Sequence, residues 1–147
     1  PPAVDNSIVS GNRRCSAGTH TGGCTEYTAD DCFGMFFSNG YNIVRTVLAA
    51  QCTILGGHST ANPLLLALDY NGGSTRTFAL SPASPARDAG NPDGCAVDSF
   101  PLLSDQRGAP RPAPGAGLCD LGAFEYGTLI FDDDFELWEW KWSDVVP

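Results

Sequence analysis

The apolar positions of this chain come in short runs, each cut off by Gly, Pro, Asn or Asp. A helix needs an unbroken 3.6-residue period over about ten positions or more, so this punctuation predicts brief strands joined by tight turns. The first is a strand over residues 7–10, closed by a turn at Gly11-Asn12. Residues 13–31 are polar and rich in Gly and Thr, and are predicted as a loop carrying Cys15 and Cys24. Strand-like runs follow at 35–37 and 41–48 around Ser38-Asn39-Gly40. Asn-Gly between apolar runs marks a turn because both residues tolerate positive φ. Local sequence leaves open whether that turn is the corner of a solenoid or an ordinary hairpin. Residues 64–68 read as a short strand or one helical turn, 75–80 as a strand, and Ser84-Pro85-Ala86 as a turn into the Asp88-Ala89-Gly90 corner.

After Gly127 the composition changes and two periods compete. Phe131, Phe135, Trp138, Trp142 and Val145 follow helical spacing, with Asp133 and Glu136 placed like a capping box. Trp138, Trp140 and Trp142 alternate with Glu139 and Lys141, as a half-buried strand would. The strand reading puts all three tryptophans on one face and is preferred. The chain therefore divides into a body, 1–126, and an acidic, Trp-rich tail, 127–147, whose Phe131, Phe135, Trp138, Trp140 and Trp142 are the candidate interaction residues.

In order along the chain, DNSIVSGN, SNGYNIV, NPLL, YNGGSTRTFAL, SPARDAGNPDGC, DQRGAPRP and CDLGAFE carry a resemblance to a known family. They resemble the C-terminal region of bacterial secreted right-handed parallel β-helix proteins of the choice-of-anchor Q type. The resemblance covers most of residues 4–126. It implies an all-β fold: the terminus of a right-handed parallel β-helix, a solenoid, with loop-rich, disulfide-stapled insertions. It implies no single chemistry. In such a solenoid residues 4–12 form a rung, with Ile8 inward and Val9 outward or at a corner. A rung buries its apolar face only between neighbours. Ala83 and Arg87 depart from the GSPAIDAG pattern, which has glycine and an apolar residue there, and an inward Arg87 requires a carboxylate. The resemblance places Cys32 and Cys52 at matching positions, which leaves Cys15 with Cys24 and Cys95 with Cys119. Spacing by itself allows the four nearby cysteines three pairings. Asp88, Asp105, Arg107 and Asp120 are expected partly buried near the solenoid's end, as a structural polar network of ion pairs and turn caps.

Charge and cysteine content narrow the function. With 17 acidic against 8 basic residues the net charge is -9, which disfavours nucleic acid and anionic membranes as partners. Six cysteines and a single lysine suit an oxidising compartment, and without a Cys-x-x-Cys pair disulfides are favoured over zinc. No metal or cofactor is expected. No apolar run is long enough to span a membrane. The opening at Pro1, without methionine, is read as that of a processed or excised piece of a longer precursor.

Enzymatic chemistry finds little to use. A serine or cysteine hydrolase needs a positioned base, and the only histidines, His20 and His58, lie in Gly/Ser/Thr-rich loops. Glycoside hydrolysis needs two carboxylates about 5 to 9.5 Å apart. Asp30-Asp31 and Asp132-Asp133-Asp134 supply carboxylates only in loop-like sequence, and the one lysine, Lys141, is in the tail. A lone Thr75-Arg76-Thr77 makes no ice-binding ladder. The expectation is a non-enzymatic, secreted or cell-surface structural module that forms a homo-oligomer, polymer or filament through solenoid ends and tail. The alternative is a carbohydrate-binding or polysaccharide-degrading β-helix with Trp138, Trp140 and Trp142 as glycan-stacking platforms. The tail itself reads either as an association surface or as a cap folded over its own body.

Overall fold

A computed structural model describes residues 1–19, 23–97, 100–113, 115 and 117–127. Among these residues every regular element is a strand: β1 (Ala3–Val4), β2 (Ile8–Val9), β3 (Arg13–Thr19), β4 (Gly23–Ala29), β5 (Gly34–Ser38), β6 (Ile43–Val44), β7 (Cys52–Leu55), β8 (Leu65–Asp69), β9 (Thr77–Leu80), β10 (Ala96–Val97) and β11 (Phe100–Pro101). The fold is all-β, with short strands and both parallel and antiparallel sheets.

The N-terminal half holds two parallel ladders. One runs β1-β5-β7, with Ala3 beside Phe37 and Phe37 beside Leu55. The other pairs β2 with β6, Ile8 beside Ile43, and continues through a parallel bridge from Ile43 to Ser59. The chain thus visits both ladders in the same order at three successive levels. The Asn39-Gly40 turn is consequently a corner between ladders, because β5 and β6 find their partners in other levels and not in each other. Corners stack closely: at Gly56, with φ +116°, a Cβ would collide with the Ser38 carbonyl oxygen, so that level tolerates only glycine.

Polar side chains stitch these levels. Asn42, 3% exposed, accepts from the Ser7 amide at 2.8 Å and donates to the Val4 carbonyl at 3.0 Å and to Ser38 Oγ at 2.8 Å. Asp31 accepts from the Asn12 amide at 2.7 Å with one oxygen and from the Thr46 amide at 2.9 Å with the other. Backbone groups that a short strand cannot pair are satisfied here by neighbouring side chains.

Several sequence expectations need correcting. Residues 13–19 and 23–29 are no loop: β3 and β4 pair antiparallel, with register shifts between Cys15 and Gly18. Those irregularities break the two-residue alternation by which a strand is recognised. The strand expected over 41–48 shrinks to Ile43–Val44, because the corner takes Tyr41 and Asn42 while Asp31 bonds the Thr46 amide. Val9 does not face outward. It packs with Val44, Cys32, Cys52, Phe36 and Ile54, while Ile8 packs on the opposite side with Ile43, Leu80, Ala86 and Leu121. The β2-β6 ladder is covered on both faces, so both its residues are apolar. Residues 64–68 are resolved in favour of a strand, and β8 and β9 close as an antiparallel hairpin around Asn71-Gly72-Gly73.

Three disulfides tie these parts: Cys15–Cys24 across the β3-β4 hairpin, Cys32–Cys52 within the second apolar cluster, and Cys95–Cys119 in the C-terminal half. They join the pairs that the resemblance implies. Gly90 lies against the last of them, where a Cβ would come within 2.7 Å of the Cys119 carbonyl oxygen.

Candidate functional site

Residues 105–127 make few ladder bonds, and buried charges hold them together. The Asp105 carboxylate accepts from the amides of Arg107 at 2.7 Å and Ala109 at 3.1 Å with one oxygen, and from the Glu125 amide at 2.9 Å with the other. The Arg107 guanidinium pairs with that second oxygen at 2.7 Å, donates to the Glu125 carbonyl at 2.6 Å and lies 3.7 Å from the centre of the Phe124 ring. Asp120 accepts from the amides of Asp88, at 2.7 Å, and Tyr126.

Two further members of this cluster have no signal in the sequence. Glu125, 1% exposed, accepts from the Ala113 amide at 3.0 Å and pairs with Arg111 Nε at 3.1 Å. The Arg111 side chain, 7% exposed, also donates to the Asp120 carbonyl. An acid in CDLGAFE and an arginine between prolines carry no periodic signal, and only their mutual burial reveals them.

Of the predicted network, Asp105, Arg107 and Asp120 are buried and engaged as described. Asp88 is a correction. Its side chain is exposed, and with φ +49° it joins the cluster through its amide alone. Among the described residues no carboxylate lies within ion-pair distance of Arg87; its guanidinium stacks 3.8 Å from the centre of the Tyr126 ring and donates to the Pro82 carbonyl. Burial raises the pKa of Asp120, against the pull of the Tyr126 and Asp88 amides. Burial likewise raises that of Glu125, opposed first by the Ala113 amide, while the Asp120 charge adds to the rise.

These carboxylates are taken up by amides and guanidinium groups, which makes the cluster a fastening of the C-terminal half. The same holds for Asp30, which accepts from Arg14 Nε at 3.0 Å and the Cys32 amide at 3.3 Å, and for Asp31. Asp30 and Asp31 are thus spent on structure. His58 is exposed. His20, Asp132 to Asp134, Lys141 and the interaction residues Phe131, Phe135, Trp138, Trp140 and Trp142 lie outside the described residues. Among the described residues no cluster of His, Cys, Asp and Glu could hold a metal ion, and no helix is long and apolar enough to cross a membrane.

A different arrangement offers a surface for binding. β1 and β2 stand at the ends of their sheets. The Pro2 and Val4 carbonyls accept from Phe37 and Asn39, and those of Ser7 and Val9 accept from Ile43 and Arg45. Strand alternation therefore directs the N–H and C=O of Ala3 and Ile8 to the outer edge, away from the ladders. Beside this edge lie two grooves separated by Ile8, Gly122 and Ala123. One, of about 410 Å³, runs between β2 and the β8-β9 hairpin and is lined by Leu65, Leu68, Phe78, Leu121 and Phe124. The other, of about 390 Å³, is lined by Ala96, Leu102 and Cys119. Phe100 and Leu103, at 76% and 75% exposure, belong to the same Cys95–Cys119 segment.

Comparison with protein-family models, curated proteins and solved structures finds no match to this chain.

Proposed function

We propose that the protein is a secreted or surface-displayed structural module, without enzymatic activity, that associates with copies of itself along the outer edge of β1 and β2. In this reading it is the terminal part of a right-handed parallel β-helix of the choice-of-anchor Q type. The reading is supported by two parallel ladders visited in the same order at three levels, with polar residues stitching each corner. Three disulfides fit an oxidising, extracellular environment.

The single observation that carries it is the outer edge itself, whose backbone groups stand beside two apolar grooves. An edge strand is a template for a further strand, and neighbouring apolar pockets select its side chains. Copies joined head to tail without closure form a filament.

Ala3→Pro tests this directly. It removes the outward N–H of an exposed strand residue and leaves the Pro2 and Val4 carbonyls that hold β5. Light scattering over a concentration series should show particles that grow in the parent chain and shrink toward a single chain in the variant, at an unchanged thermal midpoint. Growth that is indifferent to Ala3→Pro would discard the edge as the contact.

A further inference from the structure

The parallel ladders have two ends. At the first level lie β1 and β2; at the third lie β7 and Ser59, which bridges to Ile43. Residues 55–60 are all exposed, so the third level presents a second edge to solvent.

The backbone of this second edge faces outward in a definite phase. A trans peptide points its C=O and the following N–H in opposite directions. The Ser59 amide donates to the Asn42 carbonyl at 2.8 Å, so the His58 carbonyl points away from β6. The Ser59 carbonyl accepts from the Val44 amide at 2.9 Å, so the Thr60 N–H points away as well. Along β7 the Gln51 carbonyl accepts from the Gly34 amide at 2.8 Å, and two-residue alternation then turns the Ile54 carbonyl and the Gly56 N–H outward.

These groups match those that Ala3 and Ile8 offer at the first edge. In a parallel pair a residue donates to the residue before its partner and accepts from the residue after it. Phe37, paired with Ala3, thus donates to the Pro2 carbonyl. With Ala3 of a second copy opposite Leu55, its N–H meets the Ile54 carbonyl and its C=O meets the Gly56 N–H. Ile8 of that copy then falls opposite Ser59, with its N–H at the His58 carbonyl and its C=O at the Thr60 N–H. The columns are those already present within one chain, Ala3–Phe37–Leu55 and Ile8–Ile43–Ser59. Strand direction, column and hydrogen-bond phase therefore agree in both ladders at once. Phe37 and Leu55 are each 41% exposed, and a further Ala3 extends their apolar column. A copy that met the first edge by two-fold symmetry would run antiparallel to it and leave the third level open.

We propose that the β1-β2 edge of one copy is received by the third-level edge of the next, β7 with residues 56–60, so that both parallel ladders run on from copy to copy. This rests on the reading of the β1-β2 edge as the contact between copies and names the surface that receives it. Because the two edges differ, each addition leaves one of each kind free, and growth stays open.

Two variants that each block one edge test this by mixing. Ala3→Pro closes the first edge. Thr60→Pro removes the outward N–H at the third, and keeps both Ser59 bonds and the Thr60 carbonyl that accepts from Arg45. Light scattering should find each variant alone as single chains. Their equimolar mixture should double in mass and stop there, because the Ala3→Pro chain keeps its third-level edge and the Thr60→Pro chain its first. Thr60→Pro chains that grow as the parent does overturn this proposal and leave the first edge as the contact. A mixture that stays at single-chain mass overturns it too. Growth indifferent to Ala3→Pro, or a parent chain that stays single at every concentration, removes both readings. A second pair of variants reads the column without touching the backbone, since like charges side by side in adjacent strands repel and opposite charges attract. Chains with Ala3→Glu and Leu55→Glu should stay single, and chains with Ala3→Lys and Leu55→Glu should grow, at equal far-ultraviolet circular dichroism. Equal behaviour of the two, or growth of the first alone, overturns the proposal.

Discussion

The Asn42 side chain accepts a hydrogen bond from the Ser7 amide at 2.8 Å, across 35 residues of sequence. With its bonds to Val4 and Ser38 it fastens one level of the parallel ladders to the next. Asn42→Ala leaves the half-buried Ser7 amide and Val4 carbonyl without that partner. At about 1 kcal/mol for each of these bonds, the loss should be about 2–3 kcal/mol, read as a lower urea midpoint with an unchanged slope. A variant within about 0.5 kcal/mol of the parent would show that the corner does not depend on this side chain.

Glu125 and Arg111 form a buried ion pair, and removing one partner strands the other. Glu125→Ala should cost about 3–5 kcal/mol, more than most single substitutions. Adding Arg111→Met should recover a large part, because the uncompensated buried charge is then gone. Chemical denaturation of the two single variants and the double variant provides the check; additive losses would mean that the residues act separately.

Asp120 and Glu125 both have folded pKa values above their ordinary 3.8 and 4.5, with burial as the leading cause. Between each ordinary value and the raised folded one, the folded chain binds more protons than the unfolded chain. Their contribution to stability therefore rises as pH falls through the folded pKa, and is fully present below the unfolded one. Asp120→Asn with Glu125→Gln removes both titrations. The stability of the parent chain relative to this variant should increase on acidification from neutral pH, and a relative decrease would contradict the assignment.

The disulfides should differ in reach. Cys32 and Cys52 are 6% and 5% exposed inside the cluster around Val44, and their bond closes a separation of 20 residues. Replacing both with alanine should cost about 3 kcal/mol and lower the stability of both parallel ladders together. Cys15→Ser with Cys24→Ser should instead raise amide exchange in β3 and β4 while protection at Ile43 and Val44 persists. Equal losses at Val44 in both variants would show that the hairpin is part of the core.

Local chemistry made some of this fold readable in advance and hid the rest. Asn39-Gly40 announces a turn, but only the partners of β5, at residues 3–4 and 52–55, make it a corner. Ile8 reads as inward and Val9 as outward or at a corner; covering layers on both faces of β2 come from residues 32–54 and 65–126, which no local pattern specifies. Asp105 and Arg107 stand two positions apart, and their pairing is visible in DQRGAPRP. Glu125 and Arg111 are separated by 14 positions of irregular chain, and their contact depends on a path held by Asp105, Asp120 and the Cys95–Cys119 bond. The expectation of association through solenoid ends names no edge, and the grooves beside β1 and β2 arise from the packing of β8, β9 and residues 121–124.

Amide hydrogen exchange at Ala3, followed over a range of protein concentrations, tests most directly whether the outer edge is where copies meet. Its N–H faces away from β5, so exchange should be fast in dilute solution and should slow as a second chain adds a strand. An Ala3 amide that exchanges at the same fast rate at every concentration would contradict the account.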